Sequence, residues 1–549
     1  MKESNRLDHA VFWPPMIIFL GLVVLSLVNE EAFATTVTTA FYWLVGNFGW
    51  LMSLLVTFGV VFFIVVMVSP WGRIRFGGKD AMPKYTTVEW FAMALCGGIA
   101  IGIIFWSVAE PMNFLMAPGE GIEAGTPAAI NWAMEHVFLH WGPSSYSTYI
   151  FFAVPIALAV YNYNQRLTIS SSLYFLIGDR VNGGWGKLVD CISLFAIVGG
   201  MTASMGMGTM QLSTGIQYVI PAFPINGVTW LVVALAIVAM YVLSSLTGID
   251  RGLNWLANQN VKLYIFAMVY IIVVTVPAFI GMNWVESFGG YINHFFHMTT
   301  YAGIAGATMD GGQLAVDMFP QWWDMFYWAN FLAFAPVVGV FLTRLTYGRT
   351  IREFLLANLI APSMFCLIWM GIFGSAAIDM QVNGKLDIWA TMSERGMESA
   401  TYEFFQSLPL GTIILVIFLV ILIISFVTMA DSMTAAAAIM STSGFKAEEG
   451  EPPAFLKVIW GVVMGLSAWV MISFAGIDGV KMISNVAGFP ILPIAILATI
   501  SMIKGMARAY REGDAVETKE ELAIRREKMK QLAAERKAAK KAGKAAANA

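Results

Sequence analysis

The amino-acid sequence predicts an all-α integral membrane protein of about twelve transmembrane helices. Three observations carry this. Hydrophobic residues make up 58% of the 549 positions and charged residues only 12%, against about 25% charge in soluble domains. Mean hydropathy is +0.71. The apolar residues fall in runs long enough to cross about 30 Å of hydrocarbon, which takes roughly 20 helical residues. Lysine and arginine are segregated into alternate connections. The net charge of −3 carries little information because of that segregation.

In chain order the twelve spans are Val11–Val28, Trp50–Val68, Val88–Ala109, Pro143–Tyr161, Leu188–Gln211, Val228–Leu246, Val261–Met282, Trp323–Thr343, Phe354–Ala377, Leu410–Met429, Leu456–Phe474 and Met482–Ile503. With the amino terminus inside, the inner connections hold Arg73, Arg75, Lys79 and Lys84, then Arg166, Arg180 and Lys187, then Arg251, then Arg344, Arg349 and Arg352, then Lys446 and Lys457. Only Lys385, Arg395 and Lys481 fall outside. This is the positive-inside pattern of an even span number, with both termini cytoplasmic. Two outer segments, Ala128 to Trp141 and Trp284 to His297, read as short amphipathic helices at the interface. The tail from Arg508 carries 12 basic and 7 acidic residues, a balance of +5. It reads either as a solvated anchor near anionic lipid or as a regulatory arm. Cys96, Cys191 and Cys366 lie in apolar runs without ligand spacing and read as small core residues. No cleavable signal peptide is visible before the first span.

Four spans hold residues that an inert helix does not need. Span three carries Gly97, Gly98, Ala100 and Gly102. Three glycines in six residues weaken a helix by about 1 kcal/mol each relative to alanine. They point to a broken helix exposing carbonyls and amides to an ion or anion, or to a close helix crossing. Span four opens with Trp141, Tyr146 and Tyr149, which read as interfacial anchors or as a ring cluster around a cation. Span eight continues its aromatics inward to Phe331 and Phe334, with Asn330 polar at depth. Span ten ends on Thr428 and Met429, a place for interhelical hydroxyls or oxygen ligands to sodium.

Several segments carry a resemblance. They are Phe105-Trp106-Ser107-Val108-Ala109-Glu110-Pro111, His140-Trp141-Gly142, Gly206 to Gln211, Phe326-Tyr327-Trp328-Ala329, Pro336 to Phe354 with Arg344-x-x-x-Gly348-Arg349-Thr350-Ile351-Arg352-Glu353-Phe354 at its heart, and Thr428 to Ser432. In this order they resemble the betaine/carnitine/choline transporter family. The resemblance implies an inverted-repeat transporter fold of the LeuT type with two added amino-terminal helices. It divides the chain into 1–87, a first repeat at 88–282, an extracellular connection at 283–322, a second repeat at 323–503 and a basic tail at 504–549. It further implies alternating access, a homotrimer in the lipid of a bacterial inner membrane, and an aromatic cage for an onium substrate.

The family's cage positions correspond here to Trp141, Tyr146, Tyr149, Asn330, Phe331 and Phe334, with Gly98, Ala100 and Gly102 as the span-three contribution. The chain departs from the pattern. Asn330, Phe331 and Phe334 stand where many members have tryptophan, and Ser144 where many have histidine. In choline-specific members an acid tends to occupy the position of Gly102, so a net-neutral zwitterion is expected here. Glycine betaine, carnitine-like betaines and dimethylsulfoniopropionate all qualify. Met429 replaces a hydroxyl of the sodium site of sodium-coupled members. Lys262, near the start of span seven, either stands in for the ion beside Thr428 or snorkels to the inner interface. Sodium-independent exchange, or coupling to protons, follows from the first alternative; a sodium-coupled choline or betaine symporter is the other reading.

Other classes are a membrane-embedded enzyme and an osmosensor or channel without transport. His9, His136, His140, His294 and His297 are placed at or beyond the membrane edges, and only His294/His297 has metal-like spacing. No catalytic residues, metal, cofactor or nucleic-acid partner are expected.

Overall fold

A computed structural model describes residues 6–87, 90–91, 101–246, 250–310, 313–443 and 452–516, with isolated positions of the tail beyond. The principal helices are α1 (His9–Val28), α2 (Glu30–Val68), α3 (Ile101–Met116), α4 (Pro127–Trp141), α5 (Pro143–Tyr163), α6 (Gly184–Val219), α7 (Gly227–Leu246), α8 (Asp250–Val274), α9 (Pro277–Thr300), α10 (Asp324–Thr346), α11 (Ala361–Val382), α12 (Gly411–Met440), α13 (Ala454–Gly488) and α14 (Ile491–Glu512). Among the described residues, nine helical stretches are long and apolar enough to cross a membrane, or ten with the bent pair α8 and α9 counted as one. The apolar part of α7, Gly227–Val242, is shorter, and α3 has 16 residues.

The boundaries differ from the sequence expectation where polar or small residues lower local hydropathy. Helix α2 begins twenty residues before Trp50. Asn29 caps it by accepting from the Ala32 amide at 2.9 Å, and Phe33, Val37, Phe41 and Val45 bury one i, i+4 stripe. The predicted span Val261–Met282 breaks at Thr275–Val276, where Pro277 starts α9 at a 112° bend. Proline at the first helical position suits a new helix and not a continued one. Span ten does not end at Met429 but runs on to Met440. The last two spans divide differently: α13 kinks at Ala475–Gly476, where Gly476 has φ +53°, and continues to Gly488 before α14 starts at Ile491.

The segment expected as an interfacial helix at Ala128 to Trp141 is helical but not superficial. It is α4, buried from Trp132 to Trp141, because α3, α9 and α11 pack around it. Its partner, Trp284 to His297, is the outer part of α9, with alternating buried and exposed residues.

Connections predicted on one side do meet at one end of the bundle. The Arg75 amide donates to Ala515 O at 2.8 Å, Phe76 N to Arg349 O at 3.0 Å and Ile351 N to Ile74 O at 2.9 Å. This clasp joins the loop after α2, the loop after α10 and the start of the tail. Nearby in sequence logic, Arg6–Leu7 pairs antiparallel with Thr442–Ser443, and Lys187 bridges to Asp8 at 2.9 Å. Lys481 departs from its expected outer-loop position. It lies in α13 at 2% exposure, because that helix runs through the place where a loop was expected.

Candidate functional site

Helices α4, α5 and α10 converge on Phe331. Gly142 and Pro143 break the chain between α4 and α5, so that Trp141 ends one helix and Tyr146 and Tyr149 lie in the first turns of the next. Tyr146 and Tyr149 are three residues apart and share a face. Facing them, Phe331 has its ring centroid 5.4 Å from Tyr149, 5.8 Å from Tyr146 and 6.3 Å from Trp141. All four are at most 6% exposed. Tyr146 OH lies 3.1 Å from Cys366 Sγ of α11. Phe331 is in ring contact with each of the other three. Aromatic faces of this kind attract a cation by about 0.5–2 kcal/mol each.

The other expected residues distribute around this cluster. Gly102 leaves room for Trp141, since a Cβ there would stand 3.1 Å from Trp141 Cη2. Asn330 Oδ1 accepts from Ser484 Oγ of α13 at 3.3 Å. Phe334 is turned toward α6, where a Cβ on Gly200 would meet its ring at 3.3 Å. Gly98 and Ala100 lie outside the described residues.

The expected ion position is more dispersed. Thr428 and Met429 are half-buried on α12, and Thr428 Oγ1 donates to its own helix at Ile424 O, 2.7 Å away. One turn earlier, Ser425 Oγ is bonded by Asn260 Nδ2 at 2.8 Å and lies 2.9 Å from Tyr264 OH, both on α8. Lys262, between those two partners on α8, has an exposed side chain.

Sequence reasoning missed the polar half of the site. Glu110 of α3, His140 of α4 and Asp324 of α10 are fully buried together. His140 Nδ1 is 2.7 Å from Glu110 Oε1 and its Nε2 is 2.8 Å from Asp324 Oδ1. The other carboxylate oxygen, Glu110 Oε2, accepts from Trp141 Nε1 at 2.7 Å and from Tyr327 OH at 2.5 Å. Tyr327 stacks on the His140 ring at 4.2 Å. Beside this network the Lys481 ammonium sits 3.3 Å from the Trp323 ring centroid and 5.7 Å from that of Trp106. His140 is therefore interior to the bundle, because α4 is packed inside it. His136 is interior as well. His294 and His297 do not form a metal pair: each faces its own carboxylate, Glu135 at 2.7 Å and Glu120 at 3.0 Å. The available signal for the cluster was three ionisable residues next to long apolar runs, which in a membrane protein call for partners.

Comparison with known proteins finds relatives along nearly the whole chain. A family model described as betaine/carnitine/choline family transporter matches residues 10–511. A probable glycine betaine transporter of Desulfitobacterium hafniense (strain Y51) is 32% identical over 91% of this chain and 98% of its own length. A glycine betaine transporter of Bacillus subtilis (strain 168) is 28% identical over 92% of this chain and 95% of its own. An ectoine/hydroxyectoine transporter of Virgibacillus pantothenticus is 28% identical over 93% and 99% respectively.

Proposed function

Since the chain belongs to the betaine/carnitine/choline transporter family, we propose that it is a secondary transporter of a small zwitterionic quaternary-ammonium or sulfonium compound, working by alternating access. The observation that carries this reading is the ring cluster of Trp141, Tyr146, Tyr149 and Phe331. A methylated onium donates no strong hydrogen bond, so aromatic faces are its natural replacement for water. The nearest cage-wall position from α3 is the side-chain-free Gly102, which supplies no counter-charge for a bare cation. The names of the relatives support betaines as substrates. Transport, and not catalysis, is the role in this reading.

The reading includes two inverted repeats at 88–282 and 323–503, a homotrimer, a bacterial inner membrane and cytoplasmic termini. It also includes transport without sodium. Met429 offers a thioether where a hard oxygen ligand is needed. Lys262 is the basic group nearest in sequence to the polar contacts between α8 and α12. Counterflow in proteoliposomes tests the function. Labelled glycine betaine, dimethylsulfoniopropionate, carnitine, ectoine and choline are offered against unlabelled internal substrate. Exchange of a zwitterion in sodium-free medium is expected. Dissipation without exchange indicates a channel, chemical change an enzyme, and strict sodium dependence the symporter alternative.

A further inference from the structure

The His140 ring lies between two carboxylates, each in hydrogen-bond contact with one of its nitrogens. Each of these two N···O contacts needs one hydrogen between the heavy atoms. A neutral imidazole with two carboxylates owns only one. Glu110 Oε2 adds none, because it accepts from Trp141 and Tyr327. The closed arrangement therefore holds a second proton, taken from water, either on the imidazole or on a carboxyl. Without it, two lone pairs face each other at under 3 Å in a site excluded from solvent.

Charge balance leads to the same count. The groups around the cluster are Lys481 from α13, with Asp478 three residues before it on that helix, His136 and Glu135 from α4, Glu120 from the connection after α3, and the neutral Tyr327 and Trp141. His136 donates through Nδ1–H to the Trp132 carbonyl oxygen, 2.9 Å away. Glu120 and Glu135 are engaged with His297 and His294. Asp478 is exposed. That leaves Lys481 as the buried cation beside the cluster, at 2% exposure. Two carboxylates, one imidazolium and one ammonium sum to zero; removing the second proton leaves a buried net charge of −1, which is costly.

We propose that Glu110, His140 and Asp324 form a proton-binding site that closes the junction between α10 and the α3–α4 pair, and that substrate binding and proton uptake at this site are linked through Trp141. Trp141 belongs to both sites: its ring borders Phe331, and its Nε1–H bonds Glu110. Parting α10 from α4 breaks the Asp324 contact. His140 then needs only the hydrogen shared with Glu110, and the second proton returns to water. Because linkage is reciprocal, whatever closes the cage around Trp141 favours the bound proton, and the bound proton tightens substrate. The site binds a proton and binds no metal in this arrangement, since the imidazole lies between the carboxylates and the three groups do not converge on a common point.

This inference rests on the transport reading. Its test is calorimetric titration of purified full-length protein with glycine betaine, in buffers of different ionisation enthalpy between pH 6 and 9. Uptake of up to one proton per substrate bound is expected in the wild type, with Kd rising toward tenfold per pH unit above the titration range. His140→Gln and Asp324→Asn are expected to bind substrate with no linked proton; either one, folded, suffices. A wild-type proton number of zero across the range overturns the proposal, as does a wild-type proton number in His140→Gln. If neither glycine betaine nor any other compound of the panel binds, the transport reading fails. The proton site is then read from tryptophan fluorescence against pH without ligand. A transition present in the wild type and absent in His140→Gln supports the site, and identical curves overturn it.

Discussion

The indole of Trp141 hangs from Glu110: Nε1 donates to Oε2 at 2.7 Å, while the outer edge of the same ring is 3.1 Å from where a Cβ on Gly102 would stand. One ring is thus fixed by a buried carboxylate on one side and by the lack of a side chain on the other. Substitutions at these positions separate an interfacial anchor from a substrate contact.

Trp141→Leu removes one ring face and is expected to weaken zwitterion binding roughly tenfold, the equivalent of about 1–2 kcal/mol of cation–π attraction. Equilibrium binding on folded, detergent-purified protein reads this. An unchanged dissociation constant means that Trp141 only braces the fold.

Gly102→Asp both crowds Trp141 and introduces a carboxylate next to the cage. Zwitterion affinity should fall by at least tenfold, and choline should begin to compete. Gly102→Ala, which crowds without charge, should lose affinity and gain no choline. Competition binding with both ligands distinguishes the two effects; choline competition by Gly102→Ala contradicts the charge argument.

Lys262→Ala is expected to stop transport in sodium-free liposomes or to make it respond to sodium. The exposed side chain of Lys262 also fits a lysine that only reaches for the inner interface. In that case the variant transports as the wild type does, and the ion-substitution idea is wrong.

Glu398, in the connection between α11 and α12, is 7% exposed, and burial pushes its carboxyl up to about 7. A carboxyl whose folded pKa is raised prefers the protonated form in the native state. Its burial therefore costs nothing below the unfolded value near 4.5. The cost grows as pH rises from there to about 7, and then stays constant at about 3 kcal/mol, from roughly 1.4 kcal/mol per unit. Glu398→Gln should flatten the decline of melting temperature over this window. A parallel decline in wild type and variant excludes Glu398 as its source.

Gly488 is where α13 meets α10: a Cβ there would fall 2.1 Å from the Ala329 carbonyl oxygen. The obstacle is backbone, so the helices must separate. Gly488→Ala is expected to cost about 1–3 kcal/mol, seen as a lower melting temperature. It should also disturb the Ser484–Asn330 bond one turn away, and with it substrate affinity.

Hydropathy alone located most helices, because long apolar runs in this chain have few other fates. It misjudged α2 and α13, where Thr36, Thr38, Thr39 and Asn47 in one and Asp478 and Lys481 in the other depress the average although a buried stripe continues. The aromatic face of Tyr146 and Tyr149 was legible from helical spacing. The Glu110–His140–Asp324 cluster was not. Its members are separated by 30 and 184 residues, and each alone resembles a polar residue closing an apolar run. Only the docking of α4 inside the bundle turns three apparent edge residues into partners.

Helix α2 serves as a ruler for depth. Trp43 and Trp50 are exposed near its middle and Val68 closes it. Trp50 to Val68 measures roughly 27 Å at about 1.5 Å per residue, close to the thickness of the hydrocarbon layer. Gly59 is the midpoint, and a Cβ there would touch the Phe151 ring at 2.6 Å and Ser147 Oγ at 3.1 Å, beside Tyr146 and Tyr149. Gly49 is at the far mark from the Arg75 clasp, 3.1 Å in the same sense from Met325 Sδ, next to Asp324. The ring cluster thus packs beside the midpoint of that stretch, and the Asp324 end of the acid–histidine cluster packs beside Gly49, ten residues nearer the start of α2.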